Sequence, residues 1–275
     1  MDASLSPGLY IVATPIGNLG DITLRAIATL RGVAAVACED TRVTGKLLHH
    51  LEIKQRLIRY DDHASDATRD YILALAAEQP VALVSDAGTP LISDPGFKLV
   101  RAARESGIAV TSLPGPSAAI MALTLAGLPS DRFLFAGFLP SKDKARRDAL
   151  RGLAGIDATL VLYETAPRLA DALVAIGQEM PGREVAVARE LTKRFEECRT
   201  GPVDALIAHY GAHPPKGEIA LVIAPPGEQP AAAQDVDSLL RAALMSEKPS
   251  QAAAAVAKAT GLDRKLLYAR ALELK

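Results

Sequence analysis

Short apolar runs alternate with amphipathic stretches from residue 9 to about residue 126. The runs LYIVA (9–13), VAAVA (33–37), RLIRY (56–60), VALVS (81–85) and IAVTS (108–112) predict strands. Near-continuous apolar strands separated by helices imply a largely parallel sheet covered on both faces. Residues 65–78 predict one covering helix, with Ser65 as N-cap, Ile72, Leu75 and Ala76 on one face, and Pro80 as the stop. From about Asp131 the runs lengthen to FLFAGF, ATLVLY, EVAVARE and EIALVIA. The intervening ELTKRFEECRTG reads as a hairpin arm, so a second α/β domain with a mixed sheet is expected.

The segment 225–233 (PPGEQPAAA) reads as an exposed linker. Beyond it VDSLLRAALMSEK, PSQAAAAVAKATG and LDRKLLYARALELK predict three short helices, with Gly261 as C′ residue and Asp263 as N-cap. The tight turn between the last two predicts a helix-turn-helix-like bundle; a helical cap on the main body is the equal alternative. The expected organisation is therefore an α/β domain over 1–116, a second over 117–226, a linker over 227–235 and a helical extension over 236–275.

Residues 106–130 carry no charge and are long enough to cross a bilayer. Pro114-Gly115-Pro116 breaks them, which predicts a strand and a short helix buried in the core of a soluble protein. The N-terminus lacks the basic start, apolar run and cleavage site of a secretory signal. Cys38 and Cys198 form no disulfide or metal pattern, and a reducing, cytoplasmic setting is expected.

In an open parallel sheet, ligands bind beyond the carboxyl ends of the strands. Four loops there are rich in Gly, Pro, Ser, Thr and Asp: ATPIGNLGD, CEDTR, DAGTPLISDPG and LPGPSAA. Any one of them is an ordinary turn; four on one edge point to a small polar ligand. DAGTPLISDPG is the strongest signal, being longer than a crossover loop requires. The chain contains no Gly-x-Gly, no phosphate-binding G-x-x-x-x-G-K-[ST] and no G-x-S-x-G. His49, His50, His63, His209 and His213 lack metal-ligand spacing, and no metal is called for.

These loops, taken in order with FLP (138–140), LYETAPR (162–168), ARELTKRFEE (188–197) and GEIALVI (217–223), resemble the tetrapyrrole methylase superfamily of S-adenosylmethionine methyltransferases. The likeness is greatest to its ribosomal RNA branch, whose members methylate a cytidine 2′-hydroxyl in the decoding region of small-subunit RNA. Where the porphyrin branch carries Gly-Gly-Asp-Pro, this chain has Ala87-Gly88-Thr89-Pro90, a departure that favours the RNA branch. It also implies that loop backbone, rather than an Asp side chain, holds the cofactor at that point.

The resemblance implies two α/β domains with S-adenosylmethionine in the cleft between them, and a homodimer. By motif position Pro15, Ala87, Gly88, Thr89, Ile92, Ser117 and Ala118 line the cofactor on the first domain. Glu164, Leu191 and Ala220 close it from the second. A neutral ribose hydroxyl is a poor nucleophile, so a base or an alkoxide-stabilising cation is expected. Glu164 or Asp86 is the candidate base, with Lys193 lowering the charge cost. The plainer reading makes Asp40-Thr41-Arg42 a helix cap with a local ion pair, and Glu164 a cap as well.

With 31 basic and 32 acidic residues, the bulk charge of −1 gives no sign of a nucleic-acid partner. Phosphate contacts depend on local patches, however. Residues 141–151 hold five basic and two acidic residues, and 248–275 hold six and two. Arg25, Arg42, Lys142, Lys144, Arg146, Arg147, Arg264 and Lys265 are the candidate contacts to small-subunit ribosomal RNA or the assembled subunit. Two alternatives remain: a methyltransferase of the same fold acting on a tetrapyrrole or other small molecule, and a non-catalytic RNA-binding or ribosome-assembly factor.

Overall fold

A computed structural model of the chain describes residues 5–227, 233–260 and 262–274. They form two compact units, one ending at Pro225 and one beginning at Pro226. The first contains two five-stranded sheets.

The first sheet comprises β1 (Gly8–Val12), β2 (Ala35–Cys38), β3 (Leu57–Arg59), β4 (Pro80–Val84) and β5 (Val110–Leu113), in the order β3-β2-β4-β1-β5. Every pairing is parallel. The crossovers are α1 (Leu24–Gly32), α2 (Thr41–His50), α3 (Asp66–Glu78) and α4 (Phe97–Glu105). Val12, Val36, Cys38, Ala82 and Val84 pack with Leu30 and Leu48 on one face. Leu9, Ala37, Val81 and Leu83 pack with Ile72, Ala76, Leu99 and Ala103 on the other. Both faces are thus buried, as the uninterrupted apolar runs require. Ser65 caps α3 by accepting from the Thr68 amide at 3.2 Å, and β4 begins at Pro80. Strand β2 starts two residues later than its apolar run because the Val33 amide still donates to Thr29 in the last turn of α1.

The charge-free stretch after Ser106 forms β5 and α5 (Ala118–Leu125), but it is not wholly core. Strand β5 lies at the sheet edge with Thr111 and Ser112 exposed. Helix α5 buries Ala119, Ala122 and Leu123 while exposing Ile120 and Leu125. An edge strand has one neighbour instead of two, and lack of charge does not measure burial.

The second sheet comprises β6 (Phe133–Phe138), β7 (Thr159–Thr165), β8 (Glu184–Arg189), β9 (Glu197–Pro202) and β10 (Glu218–Ile223), in the order β6-β7-β10-β8-β9. β6 and β7 are parallel and the remaining pairs antiparallel. The expected mixed sheet is present, and β8 and β9 are the arms of the expected hairpin. Helices α6 (Asp143–Ala154), α7 (Leu169–Glu179) and α8 (Val203–Ala212) supply Leu150, Leu173, Ile176 and Leu206 to the core on one face. Ala119, Ala122 and Leu123 of α5 pack on the other face with Val161, Ala186, Ala188 and Val222.

The second unit contains α9 (Ala233–Leu244), α10 (Pro249–Thr260) and α11 (Arg264–Glu273). Val236, Leu240, Ala253, Val256, Leu267 and Ala271 form its own small core. Asp263 caps α11 by accepting from the Lys265 amide at 2.6 Å, and Arg270 grips Asp237 at 2.6 and 2.9 Å. Gly261 and linker residues 228–232 lie outside the described residues. Among the described residues no helix is long and apolar enough to cross a membrane.

Candidate functional site

A cavity of about 300 Å³ lies where the carboxyl edge of the first sheet meets the second sheet. From the first side it is lined by Ile16 after β1, residues 86–89 and 92–94 after β4, and Ser117 and Ala118 after β5. From the second come Phe138, Tyr163, Glu164, Thr165, Glu190, Leu191, Lys193, Glu218, Ile219 and Ala220. Loops at the carboxyl ends of parallel strands thus supply one wall, as the topology requires.

Hydrogen bonds tie the first-sheet loops together. Thr14 and Gly88 exchange backbone bonds of 2.9 and 3.0 Å. The Thr14 hydroxyl donates to the Ser85 carbonyl at 3.1 Å, and the Ser85 hydroxyl to the Gly88 carbonyl at 3.2 Å. Thr89 Oγ1 donates to the Pro116 carbonyl at 2.9 Å. Among the described residues five non-glycines have positive φ, and four fall in the two loops that border the cavity: Leu91 (73°) and Ser93 (63°) after β4, and Glu190 (49°) and Thr192 (65°) after β8, with Ser93 and Glu190 lining it directly. Such backbone costs about 1–3 kcal/mol per residue and persists where its surroundings over-determine it, often at functional sites.

Glu164 closes the cavity from the end of β7. Its side chain is fully buried; Oε1 accepts from the Thr165 amide at 2.8 Å and lies 3.1 Å from Arg168 Nε. Oε2 is buried with no hydrogen-bond partner. Lys193 Nζ donates to Glu190 Oε1 at 3.1 Å and lies 3.8 Å from Glu218. Asp86 is positioned by the Asp40 amide, which donates to its Oδ1 at 3.1 Å. Asp94 has its carboxyl pushed up to about 6 by burial, with Glu39 and Asp86 adding like-charge repulsion against the opposing effect of a Ser85 hydrogen bond.

Of the residues expected from sequence, Asp86, Ala87, Gly88, Thr89, Ile92, Ser117, Ala118, Glu164, Leu191, Lys193 and Ala220 line this one cavity. Pro15 does not; its neighbour Ile16 does. Sequence reasoning passed over Asp94, Phe138, Tyr163, Glu190 and Glu218. Each sits in or beside a motif already singled out, so the available signal was motif membership rather than spacing.

The residues expected to meet RNA are more scattered. Asp40 caps α2 through the Arg42 amide and pairs with the Arg42 guanidinium at 2.6 Å, holding its carboxyl well below the usual range. The plainer reading of Asp40-Thr41-Arg42 is what the structure displays, although the Arg42 side chain stays largely exposed. Arg25 donates to the Ser112 carbonyl at 3.4 Å. Arg146 is a correction: it is 3% exposed and lies 3.2 and 3.6 Å from Asp143 and Asp171. The helical period turns residues 146 and 150 of α6 inward, so this cation is spent inside the fold. Arg147 and Arg151 both grip Glu179, at 2.7 and 2.9 Å. Lys142 and Lys144 remain exposed, so residues 141–151 are less basic in space than in sequence. Arg264 and Lys265 are exposed on the first turn of α11.

A five-stranded parallel sheet joined to a mixed sheet, with a cavity at their junction, is an architecture with known relatives. The model for Tetrapyrrole (Corrin/Porphyrin) Methylases matches residues 8–207, and the chain belongs to that methyltransferase family. The model of the RsmI C-terminal HTH domain matches residues 230–275. A "Ribosomal RNA small subunit methyltransferase I" of Erythrobacter litoralis is 65% identical over 98% of this chain and 96% of its own. The Escherichia coli O157:H7 protein of the same name is 48% identical over 96% and 94%. Among solved structures, uroporphyrin-III-C-methyltransferase from Thermus thermophilus superposes with a TM-score of 0.55 at 23% identity, covering 79% of this chain and 94% of that one. Diphthine synthase gives 0.59 at 16% identity, over 78% and 89%. These two show the shared fold alone.

Proposed function

We propose that the chain transfers a methyl group from S-adenosylmethionine to the 2′-hydroxyl of a cytidine in small-subunit ribosomal RNA. The observation that carries this reading is the extent of the likeness. A relative named as a small-subunit ribosomal RNA methyltransferase is 65% identical along 98% of the chain, and the model of the RsmI C-terminal HTH domain matches the helical tail. A tetrapyrrole-methylating reading gives the tail no role, and a non-catalytic RNA-binding reading gives the cavity none.

The cavity's residues fit the donor. Glu164 Oε2, buried and unpartnered, offers an acceptor to a ligand's hydroxyl or amine, since a buried acceptor without a partner is costly. Leu191, Ala220 and Ala118 give an apolar wall, and Ala87, Gly88 and Thr89 present the stitched loop backbone. On this reading the donor lies between halves 1–116 and 117–226. S-adenosylmethionine supplies an activated sulfonium methyl when bound, so the chain's main task is to align the acceptor. Asp86, with one oxygen held by the Asp40 amide, takes the hydroxyl proton. Lys193 lowers the cost of the developing alkoxide while Glu190 and Glu218 hold its ammonium.

The remaining assignments are a homodimer, which the resemblance implies, a cytoplasmic setting, expected from the unpaired cysteines, and Arg25, Arg42, Lys142, Lys144, Arg147, Arg264 and Lys265 as candidate RNA contacts, of which Arg147 also pairs with Glu179. The test offers labelled S-adenosylmethionine with unmethylated small subunits, naked small-subunit RNA, or a tetrapyrrole. Transfer to either RNA form and not to the tetrapyrrole is expected. Transfer to the small molecule alone supports the second enzyme reading, and donor binding without transfer supports the non-catalytic one.

A further inference from the structure

Phe138 ends β6 and lines the cavity, yet it is 52% exposed. Side chains alternate along a strand, so an unbroken β6 would turn Phe133 and Phe135 to one face and Phe138 to the other. The β6–β7 register instead shifts, setting Phe135 opposite Val161 and Phe138 opposite Tyr163. That bulge returns Phe138 to the face bearing Phe135 and Tyr163. Gly137 makes it possible with φ of +66°, and a side chain there would meet Ser93 Oγ of the first sheet's loop at 3.4 Å.

The ring is held from both sides. Tyr163 meets Phe135 and Phe138 edge-on, with centroids 4.9 and 5.6 Å apart. The next residue, Leu139, is buried, and its carbonyl accepts from Arg168 Nη2. An aromatic ring fixed by a bulge, a neighbouring ring and an anchored backbone, and left half exposed beside a cavity, presents a face for a planar ligand.

Resting on the reading above, we propose that Phe138 stacks the nucleobase of the nucleotide being methylated, drawn out of its own stack. Sequence-specific RNA recognition chiefly targets unpaired bases splayed onto aromatic side chains, and a base seated in this way fixes the position of its own ribose hydroxyl. Ile92, exposed on the first sheet's loop, contacts the same base from the other lobe. The donor's adenine is the competing planar group. Its enclosing wall is the buried set Leu191 and Ala220, while Phe138 faces solvent. The carboxylates of Asp86 and Asp94 at the same cavity disfavour a backbone phosphate there, leaving the base as the group to be seated.

The test compares wild type with Phe138→Ala and Phe138→Trp in the full chain, with thermal melting to establish folding. S-adenosylmethionine affinity is measured by calorimetry, and kcat and KM with unmethylated small subunits. Phe138→Ala is expected to melt and bind donor like wild type while kcat/KM for RNA falls about 10- to 100-fold, and Phe138→Trp to recover most of the loss. Unchanged kcat/KM in Phe138→Ala overturns the inference while leaving the RNA reading intact. So does a loss of donor affinity that matches the loss of activity, which would assign the ring to adenine. A wild type that methylates no RNA overturns the functional reading itself.

Discussion

Arg168 Nε stands 3.1 Å from Glu164 Oε1, and the same guanidinium donates to the Leu139 carbonyl. The pair therefore joins the end of β7 to the loop that follows β6, and leaves the second oxygen of Glu164 buried without a partner. Donor binding should supply that partner. Glu164→Ala is expected to weaken S-adenosylmethionine binding about 10- to 100-fold, the range for a hydrogen bond to a charged group. Glu164→Gln, which keeps an acceptor, should lose less. Calorimetry decides; equal affinity in all three proteins would remove Glu164 from the donor site.

Asp94 gives a pH prediction. Its folded carboxyl titrates at about 6 against an ordinary 3.8, chiefly through burial. Between those values the folded chain holds a proton that the unfolded chain has released, so this residue's contribution to stability declines as pH rises from about 4 to about 6. Asp94→Asn has no such dependence. Its melting temperature should gain on wild type over that window and keep a constant offset above it. A difference independent of pH would contradict the placement of Asp94.

Gly217 precedes β10 with φ of +87°, and a methyl there would lie 1.9 Å from Glu190 Oε1. Glu190 in turn holds Lys193. Gly217→Ala should cost about 1–2 kcal/mol in backbone strain alone and displace the Glu190–Lys193 pair. Urea unfolding should report the strain, and turnover should fall further than donor affinity. Turnover equal to wild type would show that the pair does no catalytic service.

Residues 141–151 separate surface charge from structural charge. Lys144 is 92% exposed in its side chain, and Arg146 is 4% exposed in its own. Reversing Lys142 and Lys144 to Glu should weaken RNA binding and flatten its salt dependence, with melting unchanged. Arg146→Met should lower the melting temperature and leave the salt slope untouched. The opposite pattern would restore Arg146 as an RNA contact.

The strands of both sheets, the caps at Ser65 and Asp263 and the hairpin of β8 and β9 were legible because local rules govern them: apolar period, capping chemistry, turn residues. The ring of loops was legible because parallel strands must end on one edge. Asp94 and Phe138 were not, for different physical reasons. Asp94 matters through its surroundings, which bring Glu39 and Asp86 together only in the folded state. Phe138 reaches the cavity face through a one-residue bulge, invisible to a period-two pattern. Arg146 misled because a charge count along the chain ignores which side of α6 each residue occupies.

The most direct measurement maps the transferred label. After incubation with labelled S-adenosylmethionine, small-subunit RNA is hydrolysed with alkali, which cannot cleave beside a methylated 2′-hydroxyl. The account predicts label in an alkali-resistant dinucleotide whose first residue is a cytidine, reduced when Glu164 is replaced by Ala and recovered as the donor concentration is raised. Label recovered in single nucleotides, as a base methyl would give, or no label in RNA, would contradict it.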